Sequence, residues 1–294
     1  MTGSVHDAED LVQETYLRAW KAYSGFKGQS SLRTWLYRIA TNTCLTALQG
    51  SQRRPLPSGL GAPSSDPAGE LIERAEVRWL EPLADESADP SEIVGSREAI
   101  RLAFVAALQH LSPRQRAVLV LRDVLQWKAA EVADAIGSST AAVNSLLQRA
   151  RAQLEAVGPT TEDPLAAADS PEIQDRLARY IEAFESYDID RLAEMFTGEA
   201  IWEMPPFVGW YQGGEAIGKL IRHQCPARAA GDMRLIPTLA NGQPAAGLYM
   251  RDFGGTGHVP FQLHVLDVTA DGISHVVAFL DTTLFAKFSL PERL

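Results

Sequence analysis

The sequence predicts a multidomain protein with two all-α domains followed by a C-terminal α+β domain. A helix-turn-helix pattern between Leu111 and Leu154 predicts one helical domain, and amphipathic segments between Asp7 and Leu48 predict the other. After about residue 196, apolar residues follow strand periodicity, which predicts the α+β domain. With 294 residues, the chain can form two or three domains with buried cores.

The helix-turn-helix pattern begins with a helix that Ser112 can cap and that has Pro113 at its first position. A short second helix spans residues 129–136, and Gly137 ends it. Ser138, Ser139 or Thr140 caps the third helix. Its inward face is predicted to be Val143, Leu146, Leu147 and Ala150. Its polar face contains Asn144, Ser145, Gln148, Arg149 and Arg151. Such a helix can enter the DNA major groove, although an ordinary helical bundle has the same pattern.

The net charge of −10 divides unevenly along the chain. Residues 1–54 carry seven basic and four acidic side chains (+3), and residues 101–155 carry the same numbers (+3). Residues 55–100 carry three basic and ten acidic side chains (−7), and residues 156–294 carry ten and nineteen (−9). The two basic blocks have the charge expected of DNA-binding segments. The acidic segments can compete with DNA phosphates for these blocks, so the chain could inhibit its own DNA binding. An acidic linker can also simply be solvated.

The first helical region contains a helix over residues 7–20, a polar loop over 23–31 and a helix over 32–48. The expected inward residues of the first helix are Ala8, Leu11, Val12, Tyr16 and Ala19. Those of the second helix are Leu32, Leu36, Ile39, Ala40 and Leu45. Trp35 and Tyr37 alternate with arginines, as in sites that bind unstacked bases, but each suits a core equally well.

Three ordered motifs make residues 5–155 resemble an extracytoplasmic-function (ECF) sigma factor of bacterial RNA polymerase. They are Asp7-Ala-Glu-Asp-Leu-Val-Gln-Glu-Thr, Ser31-Leu-Arg-Thr-Trp-Leu-Tyr-Arg-Ile-Ala-Thr-Asn and the helix-turn-helix. The resemblance implies that Asp7, Asp10, Gln13 and Glu14 bind the β′ clamp helices of core polymerase, and that the later domain contacts the β flap. It implies −10 element binding by Lys27, Gln29, Arg38 and Asn42. It implies −35 element binding by Thr140, Asn144, Ser145, Gln148, Arg149 and Arg151.

The sequence departs from this family at its beginning. Family members usually carry one or two helices ahead of the helix that starts near Asp7, whereas this sequence begins at Met1. We expect either a misplaced start or an incomplete first domain. An incomplete domain would leave Leu11, Val12 and Tyr16 partly uncovered. Losing the burial of a few such side chains would lower the stability of the domain by an amount on the order of several kcal/mol.

A Pro-, Gly- and Ser-rich segment over residues 55–90 is predicted to be an acidic, mobile linker. Its apolar island Arg78-Trp-Leu-Glu-Pro-Leu resembles the linker of the sigma-factor subgroup with an extra C-terminal domain. We expect Trp79, Leu80 and Pro82 to dock on a domain and act in regulation. The predicted divisions are region 2 (1–54), linker (55–90), region 4 (91–157), second linker (158–170) and C-terminal domain (171–294).

The C-terminal region begins with helices over residues 173–186 and 189–196 and adds another helix over 215–223. Strands are expected over 200–204, 248–253, 261–268 and 275–284. Met204-Pro-Pro-Phe, Gly209-Trp-Tyr and Gly214-Glu-Ala-Ile-Gly make residues 172–288 resemble the SnoaL-like branch of the nuclear-transport-factor-2-like fold. This resemblance implies a cone-shaped α+β domain with an apolar pocket.

The candidate residues of this pocket are Trp202, Met204, Trp210, Tyr249, His264 and Asp281. Related folds include isomerases, cyclases and hydratases, but no pair here has the spacing of a defined acid–base unit. Ligand sensing without chemistry and a purely packing or regulatory role are the alternatives to catalysis. The six histidines are scattered and neither cysteine lies near another soft ligand, so we expect no metal and no cofactor.

No apolar run approaches the roughly 20 residues that span a bilayer, and no signal peptide opens the sequence. Cys44 and Cys225 lack a pairing pattern, so we expect free thiols in a reducing cytoplasm.

The sequence thus predicts a sigma factor that binds core RNA polymerase, directs it to promoters and catalyses no reaction of its own. The C-terminal domain is expected to modulate this activity in place of a separate anti-sigma protein. Two alternatives stay open. One is a conventional helix-turn-helix regulator that binds duplex DNA as a dimer. The other is an enzyme or small-molecule sensor of the SnoaL-like type with a vestigial sigma region.

Overall fold

A computed structural model of the chain describes residues 1–50, 53–85, 101–157 and 168–294. The chain divides into two compact units. The first contains Met1–Arg54 and Glu98–Thr160, and the second contains Pro55–Arg97 and Thr161–Leu294. The linker between the two helical modules therefore belongs to the same unit as the C-terminal domain, which its position in the sequence does not indicate.

The first helical module consists of α1 (Val5–Ala22) and α2 (Leu32–Ala47). Both begin at a serine whose hydroxyl accepts a backbone N–H: Ser4 from Asp7 and Ser31 from Thr34. Each cap satisfies a donor that the helix itself leaves unpaired. The two predicted helices are confirmed.

The buried faces of these helices differ from the expected ones. On α1, Thr15 and Ala19 are buried, whereas Val12 and Tyr16 are 53% and 63% exposed. On α2, Thr41 and Thr43 are buried, and the prediction of a buried Leu32 is wrong, since this residue is 49% exposed. The buried positions lie in the C-terminal half of α2, so a side chain in its first turn projects beyond the packed part.

The second helical module is the predicted helix-turn-helix. Its helices are α3 (Leu102–Leu108), α4 (Pro113–Leu119), α5 (Ala129–Ala135) and α6 (Thr140–Val157). A turn of π-helix, Val120–Val124, follows α4. Ser112 and Gln115 form a reciprocal capping box at the start of α4. Gly137 adopts a φ of +62° between α5 and α6, a conformation that glycine adopts without strain.

The core of this module confirms the predicted inward residues. Val132, Val143 and Ala150 are fully buried, and Leu147 is 7% exposed. Among the three candidate caps of α6, Ser139 accepts the backbone N–H of Ala142 at 3.2 Å. The helix predicted to start near Ser91 begins in the described residues at Leu102, with Arg101 as its N-cap residue, and residues 91–100 lie outside the described part of the chain.

The second unit contains a six-stranded sheet with helices packed against it, which confirms the predicted α+β class. Its helices are α7 (Pro171–Glu185), α8 (Ile189–Glu194), α9 (Gly214–Gln224) and α10 (Leu284–Lys287). Its strands are β1 (Phe196–Glu203), β2 (Trp210–Gln212), β3 (Met233–Ala240), β4 (Gln243–Arg251), β5 (His258–Val268) and β6 (Ile273–Phe279). The strand order is β2-β1-β6-β5-β4-β3, with β1 and β6 parallel and the other neighbours antiparallel.

The sequence pattern missed the two edge strands of this sheet. β2 has only three residues, and β3 contains Pro237, which cannot donate a ladder hydrogen bond. An edge strand tolerates proline because one of its sides needs no partner within the sheet. The strand expected to reach residue 284 ends at Phe279, and the helix expected to reach residue 196 ends at Glu194.

The described part of the predicted linker, residues 55–85, is hydrogen-bonded along the C-terminal domain, whereas the sequence predicts a mobile spacer. Near the edge strand β2, Val208 N–H donates to the carbonyl of Ile72 at 2.9 Å. At the β3–β4 turn, Asn241 N–H donates to the carbonyl of Leu83 at 2.9 Å. Leu80 is 1% exposed and Pro82 is buried, so these two side chains of the predicted docking segment are covered. Trp79 is half-buried.

Parts of both predicted linkers, residues 86–90 and 158–167, lie outside the described residues. Among the described helices, none has the length and apolar character that crossing a membrane requires.

The packing of α9 against α8 gives a testable expectation. A Cβ at Gly214 would lie 2.2 Å from the carbonyl oxygen of Ala193, whereas a Cβ at Gly198 would meet nothing within 4 Å. We expect Gly214→Ala to lower the free energy of unfolding of the second unit by about 1–3 kcal/mol or more, because backbone must shift. Gly198→Ala is the matched control and should change it by less. Urea unfolding midpoints of the full chain check this, and equal midpoints for the two variants would contradict the packing.

Candidate nucleic-acid interface and ligand cavity

The outer face of α6 is polar and open to solvent. Thr140, Asn144, Ser145, Gln148 and Arg149 are all exposed. These side chains face solvent because the opposite face of the helix carries the buried core residues described above. The guanidinium of Arg149 donates from Nε to the carbonyl of Ser145 at 3.2 Å, so this side chain lies along the helix.

Arg151 is exposed but is held by a carboxylate. Its Nη2 and Nε donate to Asp123 at 2.7 Å and 3.0 Å, a bidentate pair. The hydrogen bond to Asp123 raises the pKa of Arg151 above its usual value. A DNA phosphate at this position therefore competes with Asp123 for the guanidinium.

The predicted −10 residues divide into two groups. Lys27 and Gln29 are exposed in the loop before α2. Arg38 and Asn42 on α2 instead contact α5 of the helix-turn-helix: Arg38 Nη1 lies 3.2 Å from Asp134 Oδ2, and Asn42 Nδ2 donates to the carbonyl of Ala135 at 3.2 Å. In this structure, the two helical modules meet at these predicted promoter-binding side chains.

The aromatic residues of α2 are half-buried by other aromatic rings. Trp35 packs against Phe26 with ring centroids 5.0 Å apart. Tyr37 packs edge-on against Trp127 at 5.9 Å. Each ring thus contacts another ring and keeps part of its surface open, so base stacking by these residues stays a prediction.

The acidic residues of α1 are only partly available. Asp10 and Gln13 are exposed, whereas Asp7 pairs with Arg54 at 2.8 Å and Glu14 with Arg18 at 2.7 Å. Beside them, α1 exposes large apolar side chains, including Trp20, which is 84% exposed. This face of α1 combines acidic and apolar groups.

The C-terminal domain contains an apolar cavity of about 60 Å³ between its helices and sheet. The residues that line it are Leu71, Phe184, Trp202, Met204, Phe207, Leu220, Ile221, Gln224, Cys225, Leu248, Phe261, Gln262 and Leu280. None of them is charged. Two of the predicted pocket residues, Trp202 and Met204, line this cavity.

The other predicted pocket residues lie elsewhere. Tyr249 follows the cavity residue Leu248 in β4 and therefore faces the opposite side of the sheet, where it packs against Phe285 at 5.0 Å. Asp281 is exposed and accepts the N–H of Thr283 at 3.0 Å. These placements correct the expectation that both point inward.

Trp210 also lies outside the cavity lining. Its Nε1 donates to the carbonyl of Ala62 at 2.9 Å, so this side chain attaches the linker to the C-terminal domain.

His264 is fully buried behind the cavity wall. Its Nε2 lies 3.0 Å from Gln262 Oε1, and its Nδ1 lies 2.9 Å from the Tyr180 hydroxyl. Because a carboxamide oxygen can only accept, Nε2 carries the proton and the Tyr180 hydroxyl donates to Nδ1. Burial lowers the pKa of His264 to about 3, so the ring is neutral.

A second polar cluster, which the sequence pattern did not indicate, lies on the other face of the sheet. Glu203 is fully buried and its Oε1 lies 2.6 Å from His275 Nε2. Its Oε2 accepts the backbone N–H of Ser58 at 2.7 Å. His275 Nδ1 lies 3.6 Å from Asp267 Oδ2. These residues come from three strands and the linker, so no local motif could have revealed them. Among the described residues, no group of three or more potential ligands is arranged to hold a metal ion.

The fold and these surfaces define a multidomain DNA-binding protein with an added α+β domain. Family models match three parts of the chain: Sigma-70 region 2 over residues 1–54, Sigma-70, region 4 over residues 101–154, and SnoaL-like domain over residues 177–279. These matches agree with the family resemblance of the sequence motifs.

Two relatives and one solved structure extend the comparison. ECF RNA polymerase sigma factor SigG of Mycobacterium tuberculosis (strain ATCC 25618 / H37Rv) is 74% identical over 297 residues, covering 100% of this chain and 80% of SigG. SigJ of the same strain is 28% identical over 231 residues, covering 75% of this chain and 66% of SigJ. The crystal structure of SigJ from M. tuberculosis matches with a TM-score of 0.66 at 21% identity, covering 99% of this chain and 93% of that one, and shows the same fold. This chain belongs to the ECF RNA polymerase sigma factors.

The buried histidine predicts how stability depends on pH. An unfolded histidine has a pKa near 6.5, so below about pH 6.5 the unfolded chain binds a proton that native His264 does not. The native state therefore loses stability as the pH falls. Between pH 7 and pH 5 this one group should lower the free energy of unfolding by about 2 kcal/mol.

His264→Gln should remove this part of the pH dependence, and His223→Gln, at an exposed position of α9, should retain it. Urea unfolding of the full chain at several pH values measures both. A His264→Gln variant with the pH dependence of the unsubstituted chain would show that His264 is not held neutral.

Proposed function

We propose that this chain is an alternative sigma factor that binds core RNA polymerase and directs promoter-specific initiation through both helical modules. The observation that carries the −35 assignment is the exposed polar face of α6 on the helix-turn-helix, formed by Asn144, Ser145, Gln148 and Arg149. An amide side chain can bond adenine and an arginine can bond guanine in the major groove. The acidic and apolar face of α1 is assigned to the β′ clamp helices, and the later module to the β flap.

The −10 assignment requires a rearrangement within the first unit. Arg38 and Asn42 are occupied by Asp134 and the carbonyl of Ala135, so reading a −10 element through them requires that α2 part from α5. The Arg38 and Asp134 side chains are 52% and 76% exposed, and ion pairs this exposed contribute little. Polymerase and DNA contacts can therefore replace them.

The chain acts by binding and catalyses no reaction in this proposal. His264, a buried titratable group behind the cavity wall, already uses both ring nitrogens in hydrogen bonds to Tyr180 and Gln262. The thiol of Cys225, which lines the cavity, has its pKa raised by burial and stays protonated. Neither group is arranged as a free base or nucleophile.

The base-reading assignment predicts different behaviour for three substitutions on α6. Asn144→Ala and Gln148→Ala should each relax the preference at a −35 base, at a cost of about 1–3 kcal/mol per lost base contact. Arg151→Ala should weaken all promoters alike and reduce the salt dependence of binding, and the effect should be small because Asp123 competes for this side chain. Transcription by reconstituted holoenzyme from a −35 library measures the preference. If all three variants behave alike, the assignment of faces is wrong.

The C-terminal domain modulates this activity by holding the acidic linker. Residues 55–100 carry a net charge of −7, and a detached segment of this charge competes with promoter phosphates for the two basic modules. Trp210 and Gln224 hold the linker through side-chain hydrogen bonds to the carbonyls of Ala62 and Gly69, at 2.9 Å and 2.8 Å. Attachment thus favours promoter binding.

The double variant Trp210→Phe/Gln224→Leu removes both of these hydrogen bonds. We expect its promoter-specific transcription at low salt to fall, on the order of a few-fold, with the difference shrinking as salt is added. Gln212→Leu is the matched control, because Gln212 bonds Glu199 and not the linker. Transcription equal to that of the control would refute modulation through the linker. Increased transcription would show that the attached linker is the inhibited state, contrary to the proposed direction.

A further inference from the structure

A buried carboxylate binds the beginning of the linker. The linker starts with a short turn of 3₁₀ helix, Pro57–Leu60, and the backbone N–H of Ser58 in this turn donates to Glu203 Oε2 at 2.7 Å. The first N–H groups of a helix have no partner within the helix, so they need an acceptor from elsewhere. With the linker attached, Glu203 is fully buried. The attachment therefore depends on a carboxylate that water does not reach.

The charge partner of Glu203 is His275. Nε2 of His275 lies 2.6 Å from Glu203 Oε1, and its Nδ1 lies 3.6 Å from Asp267 Oδ2. Among the described residues, these two carboxylates, on β1 and β5, are the charged groups within ion-pair distance of this histidine on β6. On β4, Gln243 Nε2 donates to Asp267 Oδ1 at 2.9 Å, and the linker contributes the Ser58 N–H. One imidazole ring thus lies between two carboxylates.

The positions of the two carboxylates favour protons on both ring nitrogens of His275. A carboxylate oxygen can only accept, and a neutral imidazole carries one N–H and one lone pair. If either nitrogen loses its proton, a lone pair faces an oxygen of Glu203 or of Asp267. The imidazolium instead donates to Glu203 and attracts Asp267. The positive charge of His275 is therefore what balances the buried charge of Glu203.

The charge of His275 matters most while the linker is attached. A buried ion that loses its charge partner is destabilised far more than an exposed ion, because water does not solvate it. When residues 55–60 leave the sheet, water can reach Glu203 and solvate its carboxylate. The proton on His275 thus stabilises the attached linker more than the detached linker. Because binding equilibria are linked, loss of this proton weakens the attachment.

We propose that Ser58, Glu203 and His275 form a proton-dependent latch, in which protonated His275 lets Glu203 bind the beginning of the linker. The latch is closed at about pH 6 and opens towards about pH 9, as the imidazole loses its charge. Its opening also loosens the apolar segment around Leu80, whose N–H donates to the carbonyl of Pro55 at 3.2 Å. An effect on transcription rests on the proposed modulation through the linker, whereas the latch itself is tested without polymerase or DNA.

The first test uses the unsubstituted full chain. Hydrogen exchange measured by mass spectrometry gives the protection of peptides that cover residues 55–60, relative to the intrinsic exchange rate at each pH. We expect this protection to fall about tenfold or more between about pH 6 and about pH 9, while peptides from β4 change little. Constant protection of residues 55–60 would indicate a neutral Glu203–His275 pair and overturn the proposal. An equal fall in both sets of peptides would overturn it too, because the whole domain would then be opening.

The second test changes the charges at constant pH. His275→Gln leaves Glu203 buried without a counter-charge and should lower the protection of residues 55–60 by about tenfold or more. The double variant Glu203→Gln/His275→Gln should restore most of this protection, because a neutral carboxamide can still accept the Ser58 N–H. His223→Gln, at an exposed position of α9, is the control and should match the unsubstituted chain. Unchanged protection in His275→Gln, or a double variant no better protected than the single one, would contradict the latch.

Discussion

The structure depends on the hydrogen bonds that join the linker backbone to the C-terminal domain. They occupy backbone polar groups beside the edge strand β2 and at the turn between the edge strand β3 and β4. An uncovered sheet edge is a site of unwanted pairing, and a bonded segment covers it. Because the same residues connect the two DNA-binding modules along the chain, the C-terminal domain is covalently and structurally linked to the middle of the protein, not only to its end. A change in this domain can therefore affect the connection between the modules.

Within the first unit, the predicted promoter-binding surfaces differ in how accessible they are. The polar face of α6 is open, whereas Arg38 and Asn42 of α2 contact α5. The two contacts are one exposed ion pair and one amide–carbonyl hydrogen bond, and apolar contacts accompany them: Tyr37 packs on Trp127, and Leu45 packs against the core of the helix-turn-helix. The proposed reading of a −10 element through Arg38 and Asn42 requires that these contacts open.

The polar groups inside the C-terminal domain have distinct structural roles. Tyr180 and His264 form a chain of hydrogen bonds that orients Gln262 at the cavity wall. On the other face of the sheet, buried Glu203 links His275 to the backbone of the linker at Ser58. Buried polar groups of this kind are stable only when paired, so each network fixes the positions of its partners. Within the described part of this domain, the buried Nε1 of Trp202 has no hydrogen-bond partner.

The sequence by itself determined the helical modules, the helix-turn-helix and four of the six strands, with strand ends that differ by up to five residues. Hydrophobic periodicity and capping serines act within a few residues, so a local pattern reveals them. Ordered motifs also identified the family. Only the tertiary structure decided which side chains already have a hydrogen-bond or ion-pair partner. The partners of Arg38, Arg151 and Glu203 lie 28 to 145 residues away in the chain. It also decided that the linker joins the C-terminal sheet and that Tyr249 faces away from the cavity. These outcomes depend on long-range contacts and strand register, which no local pattern encodes.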